Sequence, residues 1–254
     1  MPATLVATVQ IDSPWAQTGN ITNGVATKAY PSAFTLASGD LIVALQGGVD
    51  STNVGTLSAS GSVTGAYTNR TNLQSGSHCS IQIASVAVGS TGSETTTLTR
   101  TVSSSISEVG GAAFQFRNHG GIGNVFAATD GVQTGNLPCS ANSSILVLCL
   151  DWNATAGART WANINGSAPT STGGVDGDVS TWAVAWAYYA DVGAAGSKTI
   201  TLSTPTFGAA TFAAIEIIGI PPTQVPSYKT ARPEQVLHQN GHDFRSLLNP
   251  SGWF

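Results

Sequence analysis

The chain has 254 residues, of which only 9% are charged, and its formal net charge is −4. A chain of this length can bury a core without disulfide or metal staples. The scattered Lys and Arg residues argue against binding to nucleic-acid phosphates or to an anionic membrane surface. No apolar run reaches the roughly 18 residues of a membrane span, and residues 1–10 lack the pattern of an export signal. We therefore expect synthesis in the cytoplasm.

Two halves of the chain repeat one series of segments in the same order. Residues 41–45 match residues 145–149 at an offset of 104, and the three later matches have offsets of 101 or 102. The matched pairs are 41–45 with 145–149, 81–88 with 182–189, 97–99 with 199–201, and 113–116 with 214–217. The conserved order and spacing indicate an internal duplication.

Each matched segment has the periodicity of a β-strand. Residues 199–203 alternate hydroxyl and apolar side chains, as expected for a sheet with one wet and one buried face. Glycine-rich turn sequences separate the segments, and no segment has apolar residues at the 3.6-residue spacing of an amphipathic helix. The sequence predicts an all-β fold, an antiparallel β-sandwich that is jelly-roll-like and internally duplicated, with a first repeat over 1–120 and a second over 121–220.

The composition changes after Ile220. Four prolines between residues 221 and 233 favour an extended path, so we expect residues 221–254 to form an extended C-terminal arm. The arm either packs on its own domain or docks on a neighbouring subunit. Its candidate interface residues are the apolar and aromatic ones: Tyr228, Phe244, Leu247, Leu248, Trp253 and Phe254.

Motifs for catalysis or metal binding are weak throughout the sequence. His238 and His242 have the spacing of two metal ligands on a helix, but Gly241 interrupts the turn and no third ligand is close in sequence. The acids of residues 176–178 fit a turn as well as a cation site. No nucleophile elbow precedes a helix. We therefore expect that the protein is not an enzyme and that it binds no cofactor and no metal.

Two further hypotheses concern acids and thiols at strand positions. A polysaccharide hydrolase would need two carboxylates flanking a cleft, and Asp151 and Glu216 are candidates together with Asp130. Cys79, Cys139 and Cys149 form an odd set, and Cys149 lies inside an apolar run. This favours a buried thiol over a structural disulfide.

Aromatic residues concentrate in the second half of the chain. Exposed aromatic rings on a sandwich can stack on sugar rings, whereas buried ones fill a core. Trp152 and Trp161 lie in loop-like sequence and are the candidate glycan-binding residues.

Over residues 3–220 the series of strands resembles the Gly/Thr-rich β-sandwich virion proteins of tailed bacteriophages, such as minor tail and capsid-surface proteins. The resemblance rests on a short strand after a Gly-Asp turn, a long alternating strand, a Thr-rich strand and an Ala/aromatic strand, repeated once. It implies a structural, capsid-decoration or host-attachment role in the virion, assembly in the bacterial host cytoplasm and a homo-oligomer among other virion proteins. The alternative is a carbohydrate-binding module for host-surface glycans.

Overall fold

A computed structural model describes residues 1–10, 25–30, 32–50, 55–75, 79–101, 107–129, 133–151, 159–176, 183–204 and 211–220. These residues contain nineteen strands and no helix, so the all-β prediction is confirmed. Every strand pair is antiparallel. The compact unit runs from Met1 to Pro221.

The first half contains eleven strands and the second half contains eight. The strands of the first half are β1 Thr4–Gln10, β2 Val25–Ala29, β3 Phe34–Leu36, β4 Leu41–Asp50, β5 Thr56–Gly61, β6 Gly65–Ala66, β7 Thr68–Ser75, β8 Cys79–Ala87, β9 Gly92–Glu94, β10 Thr96–Thr101 and β11 Ser107–Arg117. Those of the second half are β12 His119–Ala128, β13 Thr134–Cys139, β14 Ser144–Asp151, β15 Thr160–Trp161, β16 Ser171–Asp176, β17 Ala183–Tyr189, β18 Gly196–Thr204 and β19 Thr211–Gly219.

Each half contributes one five-stranded sheet and one smaller outer sheet, and the first half adds a two-stranded sheet. The five-stranded sheets, which we call the central sheets, have the orders β1-β11-β4-β8-β7 and β12-β19-β14-β17-β16. The outer sheets have the orders β2-β10-β5-β6 and β13-β18-β15, and β3 pairs with β9. The halves therefore place corresponding strands in the same order. This order supports the jelly-roll and duplication hypotheses, which stay predictions.

Three apolar cores separate four layers of sheet. The central core lies between the two central sheets and draws its residues from both halves. A first outer core fills the space between the first central sheet and its outer sheet, and a second outer core does the same in the second half. The two sandwiches are consequently packed back to back through their central sheets.

The strands at the middle of each central sheet are buried on both faces. In β4, Leu41, Val43 and Leu45 belong to the central core, whereas Ile42 and Ala44 belong to the first outer core. The strand β14 divides its residues between the central core and the second outer core in the same way. Because both faces are apolar, these strands appear in the sequence as uninterrupted apolar runs rather than as alternating patterns.

The strand registers correct the sequence offset between the halves. Gln115 lies opposite Ile42, and Glu216 lies opposite Ile145. These pairings make Ile42 and Ile145 equivalent at an offset of 103, not 104. An offset of 104 would align Leu41 of the central core with Ile145 of the second outer core, because a shift of one residue moves a side chain to the opposite face of a strand.

Aromatic side chains meet across the central core. The rings of Phe114 and Trp186 make an edge-to-face contact with centroids 5.1 Å apart, and those of Phe116 and Tyr188 lie 5.7 Å apart. Thus β11 lies across β17, and β8 correspondingly lies across β19. Because β11 corresponds to β19 and β8 corresponds to β17 in the two sheet orders, the two contacts are equivalent, as in an isologous, two-fold interface. The halves therefore face each other as the subunits of a dimer do.

The two halves are joined by a single residue. Asn118 separates β11 from β12 and has a φ of 51°, in the left-handed region that Asn tolerates better than most residues. At the other end of the second half, the carbonyl oxygen of Ile220 accepts a hydrogen bond of 2.5 Å from the ammonium group of Met1. The first and last described residues are thus adjacent.

The replacement F114A should destabilise the protein by about 3–5 kcal/mol, because it removes a fully buried ring and its contacts with Trp186 and Tyr188. The control is V6A, at a side chain that is 39% exposed, which should change the free energy of unfolding by at most about 0.5 kcal/mol. Denaturant unfolding followed by tryptophan fluorescence measures both. Equal stabilities of the two variants would contradict the central core.

Candidate functional site

The structure places Trp161 inside the second outer core. Its side chain is 5% exposed, and its ring centroid lies 6.3 Å from that of Phe212. Its indole N–H is buried and has no hydrogen-bond partner. A ring in this position has no face open to a sugar. Trp152 and the candidate interface residues lie outside the described residues: Tyr228, Phe244, Leu247, Leu248, Trp253 and Phe254.

Glu216, one of the hydrolase candidates, is fully buried and saturated with hydrogen bonds. Its Oε1 accepts from the backbone N–H of Ser140 at 2.6 Å and from the Ser143 hydroxyl at 2.7 Å. Its Oε2 accepts from the backbone and side-chain amides of Asn124 at 3.0 and 3.3 Å. Burial raises the pKa of Glu216, but these hydrogen bonds outweigh it, and the net pKa is lowered. The carboxylate fastens the end of β19 to the neighbouring turns.

Asp40 makes the corresponding connection in the first half. Its carboxylate accepts hydrogen bonds from Arg117 Nε at 2.7 Å, Gln115 Nε2 at 2.5 Å and the Ala37 backbone N–H at 2.8 Å. Burial again raises the pKa, and the bonds from Arg117, Ala37 and Gln115 together lower it below the usual value. Asp40 is 1% exposed, so it too serves as a structural anion.

The two corners have the same backbone geometry and opposite side-chain roles. Gly39 and Asn142 both have left-handed φ angles. Gly39 donates its backbone N–H to a carbonyl oxygen just after β8 at 2.9 Å, and Asn142 donates to one after β17 at 2.8 Å. In the first corner the turn residue Asp40 carries the carboxylate and Gln115 donates. In the second corner the turn residue Ser143 donates and Glu216 carries the carboxylate. Gln115 and Glu216, which match each other in the sequence repeat, are thus both buried and brace their corners from inside.

A third cluster of polar side chains lies in the first outer core. Arg100 is fully buried, and its Nη1 donates to the Val49 carbonyl oxygen at 2.5 Å. Gln82 donates to the Leu57 carbonyl oxygen at 2.7 Å and accepts from Gln46 Nε2. These contacts satisfy buried backbone carbonyls and tie the central sheet to the outer sheet.

The side chains of the remaining candidates for catalysis or metal binding lie outside what the structure describes. Asp151 and Asp176 end β14 and β16, and their side chains are not described. Asp130, Asp178, His238 and His242 lie outside the described residues. Within the part of the chain that is described, no three His, Cys, Asp or Glu side chains are grouped to hold a metal ion. In the same part, no helix has the length and apolarity required to cross a membrane.

None of the three cysteines forms a disulfide, and all three are buried. Cys79 belongs to the central core, whereas Cys139 and Cys149 belong to the second outer core. Burial, together with the nearby charge of Glu216, raises the pKa of the Cys139 thiol to about 12. A thiol in such surroundings is a poor nucleophile.

Hydroxyl and amide side chains cover the outward faces of both outer sheets, a feature for which we predicted only solvent exposure. In the first outer sheet, Thr99 lies between Thr27 and Ser58 in one cross-strand row. In the second, the Thr134 and Thr201 hydroxyls are hydrogen-bonded at 3.0 Å, and Thr199 donates to Asn136 Oδ1 at 2.8 Å. The alternation in residues 199–203 was the sequence signal for this surface.

Comparison of the chain with known family models, with curated proteins and with solved structures finds no match.

The replacement E216Q should reduce the dependence of stability on acid pH. Because folding lowers the pKa of Glu216, its carboxylate contributes stability above the unfolded value of about 4.5, and the contribution is lost as the pH falls through the folded pKa. The wild-type protein should thus lose more stability on acidification than E216Q does. At neutral pH, E216Q should be less stable by about 2–3 kcal/mol, since a charged hydrogen-bond acceptor is removed.

S143A is the matched control, because it removes one donor and leaves the carboxylate ionised. It should cost about 1 kcal/mol and keep most of the acid dependence. Urea unfolding at a series of pH values measures all three proteins. Parallel pH profiles for wild type and E216Q would contradict the role of the carboxylate.

In the native protein, none of the three thiols should react with Ellman's reagent at mildly alkaline pH, because all three are buried. The unfolded protein in guanidinium should react with three equivalents, since the sequence has three cysteines. Rapid reaction of any thiol in the native state would contradict the described cores.

Proposed function

We propose that the chain is a structural protein of a tailed-bacteriophage particle, a tail or capsid-surface component that assembles through its C-terminal arm, residues 221–254. The proposal includes synthesis in the host cytoplasm, a place in the virion and a homo-oligomer that contacts other virion proteins. It includes no catalytic step and no cofactor. The resemblance of residues 3–220 to virion β-sandwich proteins is its starting point.

One observation carries the proposal: the buried carboxylates that the structure describes are used to hold the sheets together. Glu216 and Asp40 accept hydrogen bonds from three or more groups each and are at most 1% exposed. The third fully buried acid, Glu94, accepts from the Val63 and Thr64 backbone N–H groups and from the Tyr67 hydroxyl. An interior designed in this way favours rigidity, as a particle component requires.

The carbohydrate-binding alternative depended on Trp152 and Trp161. Since Trp161 packs in the second outer core, stacking of a sugar on its ring would require that core to open. Of these two residues, sugar stacking can therefore be tested only at Trp152.

The full chain should form a defined oligomer, and the triple variant L247S/L248S/F254S should be a monomer, because these apolar side chains are the proposed contacts of the arm. Multi-angle light scattering measures the mass of each protein. A chain ending at Pro221, where the compact unit ends, should likewise be a folded monomer.

The control is V63S, which changes an exposed apolar residue of the compact unit and should leave the oligomer intact. Thermal unfolding of each monomer should be one cooperative transition, which shows that the protein has dissociated without unfolding. If the wild type and the triple variant have the same mass, the arm is not an assembly element and the proposal is wrong in that part.

A further inference from the structure

The outward faces of the two outer sheets form regular arrays without charge. In each outer strand, alternate residues point away from the core, and the outward positions that the structure describes carry hydroxyl or amide groups with few exceptions. We call these arrays the hydroxyl faces; the first contains Thr27, Thr56, Ser58, Ser60, Thr97, Thr99 and Thr101, and the second contains Thr134, Asn136, Ser197, Thr199, Thr201 and Ser203.

The charged residues of the outer strands point the other way. Within the described outer strands these are Lys28, Arg100 and Lys198, and each lies at an inward position. Arg100 is fully buried and Lys198 is 4% exposed, with its ammonium group bonded to the Ala194 carbonyl oxygen at 2.7 Å. Placing a cation inside a sandwich costs free energy that an outward position would not.

This arrangement reverses the usual pattern, in which a half-solvated sheet keeps its charges on the wet face. A generic solvated surface gives no reason for the reversal. A surface that must lie against an uncharged partner does, because an unpaired charge at such a contact would lose its hydration without gaining a counter-charge.

Four of the six side chains of the second hydroxyl face are also held in place by hydrogen bonds to one another. The hydrogen bonds between Thr134 and Thr201 and between Thr199 and Asn136 connect neighbouring strands. Each hydroxyl can still accept or donate one further bond toward the outside. A partner bound there would pay little to order these side chains.

From these observations we propose that the hydroxyl faces bind a neutral polysaccharide that lies flat along the sheet. Rows of hydroxyls about 4.8 Å apart across the strands and about 6.7 Å apart along them offer repeated donors and acceptors to a polymer that itself presents hydroxyls at regular intervals. Many weak contacts along one chain add up to useful affinity. Binding should be insensitive to salt, because no charges meet.

The inference goes beyond the proposed assembly role and does not depend on it. The hydroxyl faces belong to the compact unit Met1–Pro221, whereas assembly is assigned to residues 221–254. A monomeric protein could bind a polysaccharide, and an oligomer could fail to do so.

The test uses the full chain and measures its retention on cellulose, chitin and cross-linked dextran, with alginate as an anionic polymer. We expect retention on at least one neutral polymer, equal at low and high salt, and none on alginate. The double variant T99K/T199K places one ammonium group in each hydroxyl face and should bind at least about tenfold more weakly. N72K adds a charge at an exposed residue of β7 and should bind as the wild type does.

Circular dichroism melting establishes that the variants are folded. Three results would overturn the proposal: no retention on any of the neutral polymers, equal retention of wild type and T99K/T199K, or retention that disappears in high salt. Light scattering of the same samples distinguishes a second copy as the partner. If the wild type is an oligomer, T99K/T199K is a monomer and neither protein binds polysaccharide, the hydroxyl faces join copies of this chain and the proposal is wrong.

Discussion

The packing of the two central sheets against each other determines most of this structure. Their contact buries the inner faces of the inner strands of both central sheets, and the outer sheets bury the opposite faces. Strands such as β4 and β14 therefore have no solvent-exposed side. Antiparallel sheets more often keep one wet face. Here the polar atoms at the strand ends must be satisfied inside the protein, and Asp40 and Glu216 supply the charged acceptors that do so.

The same constraint explains where the few charges of the chain are placed. Only 9% of the residues are charged, and several of them close corners or span cores rather than face solvent: Asp40, Glu94, Arg100, Lys198 and Glu216. Buried charges of this kind contribute when every lone pair or proton has a partner. On the outer strands that the structure describes, the charged residues lie at inward positions and the outward faces carry hydroxyls and amides, which is the basis for the neutral polysaccharide proposal.

The two halves differ in the side chains that fill their outer cores. At the offset of 103, Gln46 and Gln82 of the first outer core correspond to Cys149 and Ala185 of the second, and both pairs lie directly opposite each other in their ladders. The first half joins its sheets at this point with amide hydrogen bonds, and the second half does so with apolar packing around Phe212. The exchange of roles between Asp40 and Ser143 is a further instance. One backbone arrangement thus tolerates two chemical solutions, provided that each polar group is paired.

The sequence by itself determined the strand content and the hydroxyl faces, because alternation in a segment such as residues 199–203 records one wet and one buried face directly. It could not predict the central core. The runs at residues 41–45 and 145–149 are apolar on both faces, so their sequences show no alternation that would fix the strand register or indicate which sheet covers each face. Nor could it place Trp161 and Glu216, whose loop-like and strand contexts fit exposure as well as burial. Only the tertiary structure decided these points, since burial of a side chain depends on which sheet faces it across the layer and not on its neighbours in the chain.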